Sequence, residues 1–355
     1  MKKTAALILA VLISALSILT NNCNAVDAKP SDSAAASVLY CADSKQVLCG
    51  HDENTRLPIA SITKIMTCLL ALETAEKNNA EVRITSQMYA EGSSMYLKEG
   101  EVLTLSSLAT GMMACSGNDA ANAISYAVGG STERFVGLMN KRAQSLGMRN
   151  THFVTPSGLD DSEHFSTAYD MALLGAAAME NEDFRSIVSS ESVRVNYVSP
   201  AGKSVVFTNH NRLLGRLDGC IGIKTGYTKT AGRTLVSCTE REGVRLIAVT
   251  LNDPDDWDDH ETLIEYGFSV VSRVRLDDGL PQILIPVAGT GKNAELTSDV
   301  EPYAVVRNDD RKKIQRIVYA PHFLYPGEVE CALCRIEYRV GERVLFSGAM
   351  KIKTN

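Results

Sequence analysis

Three short patterns in the chain could do chemistry together: Ser61-x-x-Lys64, Ser116-Gly117-Asn118 and Lys224-Thr225-Gly226. On a helix, the first places Ser61 and Lys64 one turn apart on the same face, where an amine can take the proton of a hydroxyl. For that the lysine must be neutral. An ordinary lysine titrates at about 10.4, so poising it near 7 takes about 3 units, or roughly 4 kcal/mol, from burial and a second cation. Lys224 can be that cation. The amino-terminal turn of such a helix adds its dipole and backbone N–H groups, which favour an alkoxide at Ser61 and an oxyanion beside it. Ser116, on a loop between helices, can relay a proton to a leaving amine, and the Asn118 amide can orient a substrate carbonyl or fix Lys64. Lys224 and Thr225 on a strand edge offer a cation and a hydroxyl to a terminal carboxylate. Gly226 lets a peptide backbone approach as an added strand, and Tyr227 contributes through its backbone N–H. The sum is acyl transfer by a serine.

Taken singly, these residues read as a capping serine, a solvated helix lysine and a polar turn. A lone S-x-x-K recurs about once by chance in a chain of this length. The ordered triple is far more specific, provided that the surrounding elements can position it. Apolar residues at helical spacing (Ile62, Ile65, Met66, Leu69, Leu70, Leu72) predict a helix from about 60 to 76 after Pro58, with Ser61 on its first turn. A helical pattern from 104 to 128 is interrupted at Ser116-Gly117-Asn118, and a further helix over 131–146 is closed by Gly147. Residues 37–50 read as a β-hairpin. Runs at 221–228, 233–239 and 245–251, joined by Gly-containing turns, suit an antiparallel meander with Lys224 on its first strand, and 257–273 reads as a helix packed on that sheet. After about residue 276 the texture changes to short β-like segments (282–286, 303–306, 314–319, 331–339, 343–352), expected to form a small all-β domain.

The length of 355 residues suggests two domains, and 45% hydrophobic with 22% charged residues excludes disordered and multi-span membrane classes. Lys2 and Lys3, an apolar run from Ala5 to Leu19 and the small-residue site Cys23-Asn24-Ala25 read as a cleavable export signal, residues 1–25. The run is shorter than the roughly 20 residues a membrane span needs. Thr20-Asn21-Asn22 does not suit lipidation at Cys23. A small, polar tether follows over 26–36. Loss of the signal removes two lysines and no acid, leaving a net charge near −8, which makes nucleic acid a poor partner.

Eight cysteines remain after cleavage. Cys41 and Cys49 flank the hairpin turn, but a one-residue change of register decides whether they face each other. Cys331 and Cys334, three apart in a strand-like run, point to opposite faces. Buried free thiols are the expectation. Six scattered histidines form neither an H-E-x-x-H motif nor another metal pattern, so no metal or cofactor is expected. Asp255, Asp256, Asp258 and Asp259 around Trp257 read as a solvated face or helix start.

With these residues in place, the chain resembles the low-molecular-weight penicillin-binding proteins, specifically the serine D-alanyl-D-alanine carboxypeptidases of peptidase family S11. The likeness extends beyond the motifs to Leu57-Pro58-Ile59-Ala60-Ser61-Ile62-Thr63-Lys64, Ser116-Gly117-Asn118-Asp119-Ala120 and Trp257-Asp258-Asp259-His260. The resemblance implies an α+β chain: a penicillin-binding/β-lactamase-like catalytic domain over 37–275, with helices on both sides of an antiparallel sheet, then a small β-sandwich over 276–355. It implies removal of the terminal D-alanine from peptidoglycan stem pentapeptides, with Ser61 as acylated nucleophile, Lys64 as base and Ser116 as proton relay. Lys224 and Thr225 would hold the terminal carboxylate, and the backbone N–H groups of Ser61 and Tyr227 would form the oxyanion hole. β-Lactam antibiotics would acylate Ser61 as mimics of the substrate. The enzyme would be exported to the cell wall or beyond. Many relatives end in an amphipathic or hydrophobic anchor, and this chain shows none after Ile352; Cys115 is not part of the motif.

A β-lactamase shares Ser61, Lys64 and Lys224 but needs rapid attack of water on the acyl-enzyme. The second domain and the glycine between Ser116 and Asn118 favour the carboxypeptidase. A D,D-endopeptidase or transpeptidase differs only in leaving group or acceptor. A noncatalytic wall-binding scaffold is opposed by the complete motifs.

Overall fold

A computed structural model describes residues 29–277, 279–298, 300–327 and 333–354. The expected export signal and Cys331 lie outside the described residues. At the centre is a five-stranded antiparallel sheet built from β1 (Ala36–Cys41), β2 (Gln46–His51), β3 (Cys220–Thr228), β4 (Gly232–Arg241) and β5 (Val244–Leu251), in the order β2-β1-β5-β4-β3. The strands alternate with period two, and both faces are apolar. Val38, Tyr40, Val236, Cys238, Ile247 and Val249 face one buried cluster, with Ile62, Ile65, Leu69, Met171 and Leu174. Leu39, Cys41, Leu235, Leu246 and Ala248 face the other, with Leu263 and Ile264.

The first layer holds α1 (Lys64–Ala75), α2 (Leu105–Cys115), α3 (Asn118–Gly129), α4 (Thr132–Ser145), α5 (Ala168–Ala178) and α6 (Glu182–Ser189); the second is α7 (Asp256–Val270). Thr104, Ser131, Thr167 and Asn181 cap α2, α4, α5 and α6 through their side-chain oxygens, each satisfying an orphan N–H of the first turn. Two hairpins lie outside the main sheet: Glu81–Arg83 with Val102–Thr104, and Ser192–Asn196 with Ser204–Thr208. The C-terminal end of the expected tether is docked, since Ser33 N donates to Asp259 Oδ2 at 2.7 Å and Ser33 Oγ lies 2.8 Å from Asp253 Oδ1 and 2.7 Å from Asp259 Oδ2.

The helix expected over 257–273 stops at Val270. Val271–Arg275 is instead β6, antiparallel to β9 (Tyr303–Arg307); the β-branched pair Val270-Val271 favours extended backbone where the helical pattern nominally continues. A second five-stranded antiparallel sheet contains β7 (Ile283–Val287), β8 (Lys292–Thr297), β10 (Gln315–Tyr319), β11 (Cys334–Val340) and β12 (Arg343–Thr354), in the order β7-β8-β12-β11-β10. The β6–β9 ladder packs on it through Val274 and Val306, which share a core with Ile285, Leu296, Leu324 and Tyr338. Strand β8 has no counterpart among the expected segments.

All seven cysteines among the described residues are free, five of them buried. Register settles the hairpin pair: Cys49 faces Leu39 while Cys41 faces Gln46. Among the described residues no helix is long and apolar enough to cross a membrane, and no three His, Cys, Asp or Glu side chains come together as a metal site.

Candidate active site

Ser61 lies on a 3-10 turn, Ala60–Thr63, directly before α1. It therefore precedes the α-helix instead of occupying its first turn. Ala60 holds φ +49°, a left-handed conformation that costs a non-glycine residue roughly 1–2 kcal/mol, and the turn is braced on both sides. On one side Thr234 Oγ1 of β4 donates to Ile59 O at 3.0 Å, and β3 runs so close that a Cβ added at Gly226 would stand 3.0 Å from Ser61 N and 2.4 Å from Thr234 Oγ1. On the other side is the loop 154–158, where a Cβ at Gly158 would come within 1.9 Å of Ala60 O. Only glycine permits either approach.

His164 fixes that loop. Its Nδ1 accepts the backbone N–H groups of Val154 (3.0 Å) and Thr155 (3.2 Å), so the ring proton sits on Nε2 and is donated to Thr63 Oγ1 at 2.8 Å. Burial pushes the imidazole down to about 4, which keeps it neutral. The loop in turn presents the Ser157 carbonyl to Lys64 Nζ at 2.7 Å, and Pro156 O accepts Thr67 Oγ1 at 2.6 Å.

Lys64 Nζ is 2.9 Å from Ser61 Oγ. The lysine is fully buried, and its ammonium is held well below the ordinary range, first by burial and then by the charge of Lys224; Cys115 and Asp119 oppose the shift only in part. Lys224, buried on β3, is pushed down to about 8 by burial. Its Nζ donates to Thr225 O at 2.8 Å, so its charge acts from beneath the strand.

Ser116 caps α2 in the left-handed conformation, φ 60° and ψ 32°, which turns the chain between α2 and α3. The amide of Asn118 is oriented by Glu91 O, which accepts Nδ2 at 2.7 Å, while the buried Oδ1 has no partner. Asn118 thus offers an acceptor to a substrate N–H. Of the two tasks suggested by the sequence, fixing Lys64 falls to Ser157 O, which accepts from its Nζ. Asp119 pins the facing segment by accepting from Ser94 Oγ (2.7 Å), Met95 N (2.9 Å), Leu97 N (3.1 Å) and Ala120 N (2.9 Å).

Ser61, Ser116, Thr225, Gly226 and Tyr227 open on one cleft of about 500 Å³, with Ser93 on its wall. His210, Arg212, Arg233, Asp256 and Trp257 also line it. The Arg233 guanidinium pairs with buried Asp256 and lies over the Trp257 ring at 5.6 Å, with its Nε buried and unpartnered. Asp256 is therefore part of the cleft and not solvated, while the acidic run is the helix start that the sequence also suggested, with Asp255 at the N-cap and Asp256, Asp258 and Asp259 in the first turn of α7; Asp258 remains exposed. Ser157, His164 and Arg233 were not singled out in the sequence, because nothing local marks them; Asp119 stood in the family-like stretch after Ser116 without a role.

β3 is an edge strand, so an extended peptide can add to it. The cleft then offers a hydroxyl beside a deprotonatable amine, a second serine, and the guanidinium groups of Arg212 and Arg233.

The family model described as D-alanyl-D-alanine carboxypeptidase matches residues 23–255. The chain is 35% identical over 249 residues to D-alanyl-D-alanine carboxypeptidase DacB2 of Mycobacterium tuberculosis, covering 68% of this chain and 84% of that protein. It is 31% identical over 309 residues to DacF of Bacillus subtilis, covering 80% and 79% respectively. Among solved structures it is similar to the D-alanyl-D-alanine carboxypeptidase DacD from Francisella tularensis, with a TM-score of 0.68 and 26% identity over 92% of this chain and 94% of that one.

Proposed function

Since the chain belongs to the peptidase S11 family of D-alanyl-D-alanine carboxypeptidases, we propose that it removes the terminal D-alanine from peptidoglycan stem peptides through an acyl-enzyme on Ser61. It is a serine-type hydrolase of the penicillin-binding group, in cell-wall metabolism. The observation that carries the residue assignment is the 2.9 Å contact between Ser61 Oγ and the buried Lys64 amine.

Neutral Lys64 takes the Ser61 proton as Oγ attacks the penultimate D-alanine carbonyl, and the backbone N–H groups of Ser61 and Tyr227 receive the oxyanion. The C–N bond breaks as a proton passes to the leaving amine through Ser116, and free D-alanine departs. Water then attacks the ester as Lys64 takes its proton, the ester C–O bond breaks, and Lys64 passes that proton to Ser61 Oγ, releasing the shortened stem and the free enzyme. The stem lies along β3 beside Gly226, with an N–H donated to Asn118 Oδ1. Thr225 and the charge of Lys224 hold the terminal carboxylate, with Arg233 on the same wall. Residues 1–25 would export the enzyme to the cell wall, and 37–275 and 276–355 would be its catalytic and β-sandwich domains.

Intact-mass measurement with penicillin, paired with a D-alanine assay on a D-Ala-D-Ala-ended peptide, tests this. The expected result is one lasting adduct at Ser61 plus D-alanine release, both lost in Ser61→Ala. Rapid hydrolysis of the antibiotic, or D-alanine release by Ser61→Ala, would overturn it.

A further inference from the structure

Away from the Ser61 cleft, a larger cavity of about 790 Å³ opens between the turns at one end of the central sheet and the C-terminal strands. One wall is the β1–β2 turn with Asp43, Ser44, Lys45 and Gln46; the other is Arg273 on β6, Tyr303 on β9 and Arg343 on β12. Apolar contact joins the two walls, because Val271 and Val305 belong to the same buried cluster as Leu39, Leu48 and Leu246. Arg307 Nη1 also donates to Leu48 O at 3.4 Å. The volume is within the range of about 300–1,000 Å³ typical of ligand clefts.

Two buried atoms on these walls have no partner, Gln46 Oε1 and Arg343 Nη1, while the Ser44 hydroxyl is turned to the Cys41 thiol. Each costs roughly 1–3 kcal/mol unless a group from outside the chain satisfies it. The two differ in kind: a pure acceptor and a cationic donor. Lys45, Arg273 and Arg343 face Asp43, with Asp310 Oδ2 3.5 Å from Arg343 Nη2. The surplus is positive in a chain of net charge −6. One oxygen of Asp43 already accepts Arg245 N at 2.6 Å, and Arg273 lies over the Tyr303 ring at 4.5 Å.

We propose that this cleft is a second, noncatalytic site that holds a carboxylate-bearing peptide stem of the same glycan-linked polymer whose ends the Ser61 site trims; the identity of the polymer rests on that functional reading. A stem supplies an amide N–H for Gln46 Oε1 and a carboxylate for the guanidinium of Arg343. A polyphosphate chain would match the cations but has no N–H to give. Holding one stem while another is trimmed raises the local concentration of cleavable ends, an advantage only on polymer.

The experiment is co-sedimentation of the Ser61→Ala protein with purified peptidoglycan, alone and with Gln46→Ala/Arg343→Ala or Lys45→Glu added. Lys45 is exposed, so its variant keeps the test valid if the double change impairs folding. The double variant is expected to bind polymer about tenfold more weakly and Lys45→Glu severalfold. In the otherwise wild-type enzyme the same changes raise KM on polymer and leave kcat/KM on a short soluble D-Ala-D-Ala peptide unchanged. Wild-type-like binding by both variants would overturn the proposal, as would displacement of the protein by a phosphate polymer but not by soluble stem peptides. Failure of the catalytic reading would show separately, as absent turnover of the short peptide, while the sedimentation arm still reads the cleft.

Discussion

Lys64 Nζ lies between two oxygens, Ser61 Oγ at 2.9 Å and Ser157 O at 2.7 Å. A carbonyl only accepts, so one lysine N–H is always committed to Ser157. As an ammonium the group also donates to Ser61; as a neutral amine it turns its lone pair to the hydroxyl and accepts the proton. The Ser157 contact holds the amine in place through that change, which makes Lys64 a positioned base.

Activity should follow a bell-shaped pH profile. Acylation rises with pH as Lys64 deprotonates, at a value lowered by burial and by Lys224. It falls again as Lys224 loses its proton near 8 and the carboxylate loses its counter-charge. kcat/KM from pH 5 to 10 checks this, and Lys224→Arg, which stays charged, should lose the alkaline limb; a limb that persists in that variant would remove Lys224 from the scheme.

Carboxylate recognition can be isolated by substrate chemistry. For Lys224→Ala or Arg233→Ala, kcat/KM on a peptide with a free C-terminus should drop by about 10- to 100-fold. Acylation by an amidated analogue, which lacks the carboxylate, should change little in Arg233→Ala and fall less than on the free-acid peptide in Lys224→Ala, where loss of the neighbouring charge also lets Lys64 hold its proton more tightly. Equal losses on both ligands would show a structural defect instead.

Gly226→Ala places a methyl 2.4 Å from Thr234 Oγ1 and 3.0 Å from Ser61 N. β3 must move away from the serine turn, so acylation by penicillin should slow by about 100-fold or more, with a stability loss of about 1–3 kcal/mol. Stopped-flow acylation and thermal melting measure the two separately.

Asp119→Ala removes the acceptor for four hydrogen bonds, three of them from backbone N–H groups. The expected loss is about 3 kcal/mol or more by chemical denaturation, together with slower acylation because the segment facing Ser116 loosens. A variant as stable as wild type would contradict the role of Asp119 as the anchor of residues 94–97.

Mild acid should destabilise the fold. Burial pushes His164 down to about 4 and His260 to about 3, so below 6.5 the unfolded chain binds protons that the folded chain refuses. Stability falls by about 1.4 kcal/mol per pH unit for each histidine. Asp253, raised by burial to about 6, acts in the opposite sense below that pH, and the net loss should be of order 2 kcal/mol at pH 5. Denaturation midpoints at pH 7.5, 6 and 5 check it; a midpoint that rises on acidification would contradict it.

Much of this molecule was legible because its signals are local. Ser61 and Lys64 are three residues apart, and the β3–β5 meander is punctuated by glycines. α5 was not legible, because Ala168, Met171, Ala172, Leu174 and Ala178 are all buried and the helix lacks a polar face to set its period. The two small hairpins have strands of three and five residues, too short for alternation to register. In the site, the sequence carried the residues that react but not those that hold them. Ser157 reaches Lys64 across 93 positions and His164 reaches Thr63 across 101, distances that no spacing rule spans. Asp256 was misread because its partner Arg233 lies on another element.

The close approach of β3 and the 154–158 loop to the Ser61 turn also bears on how this enzyme can evolve. Neither Gly226 nor Gly158 can gain a single carbon without colliding with the backbone or hydroxyl that shapes the nucleophile. Variants that shut out a bulky antibiotic by narrowing the site at these two positions would therefore lose the natural reaction as well. Selection for drug escape is directed outward, to rim positions such as Tyr227, whose exposed side chain can change without disturbing the serine.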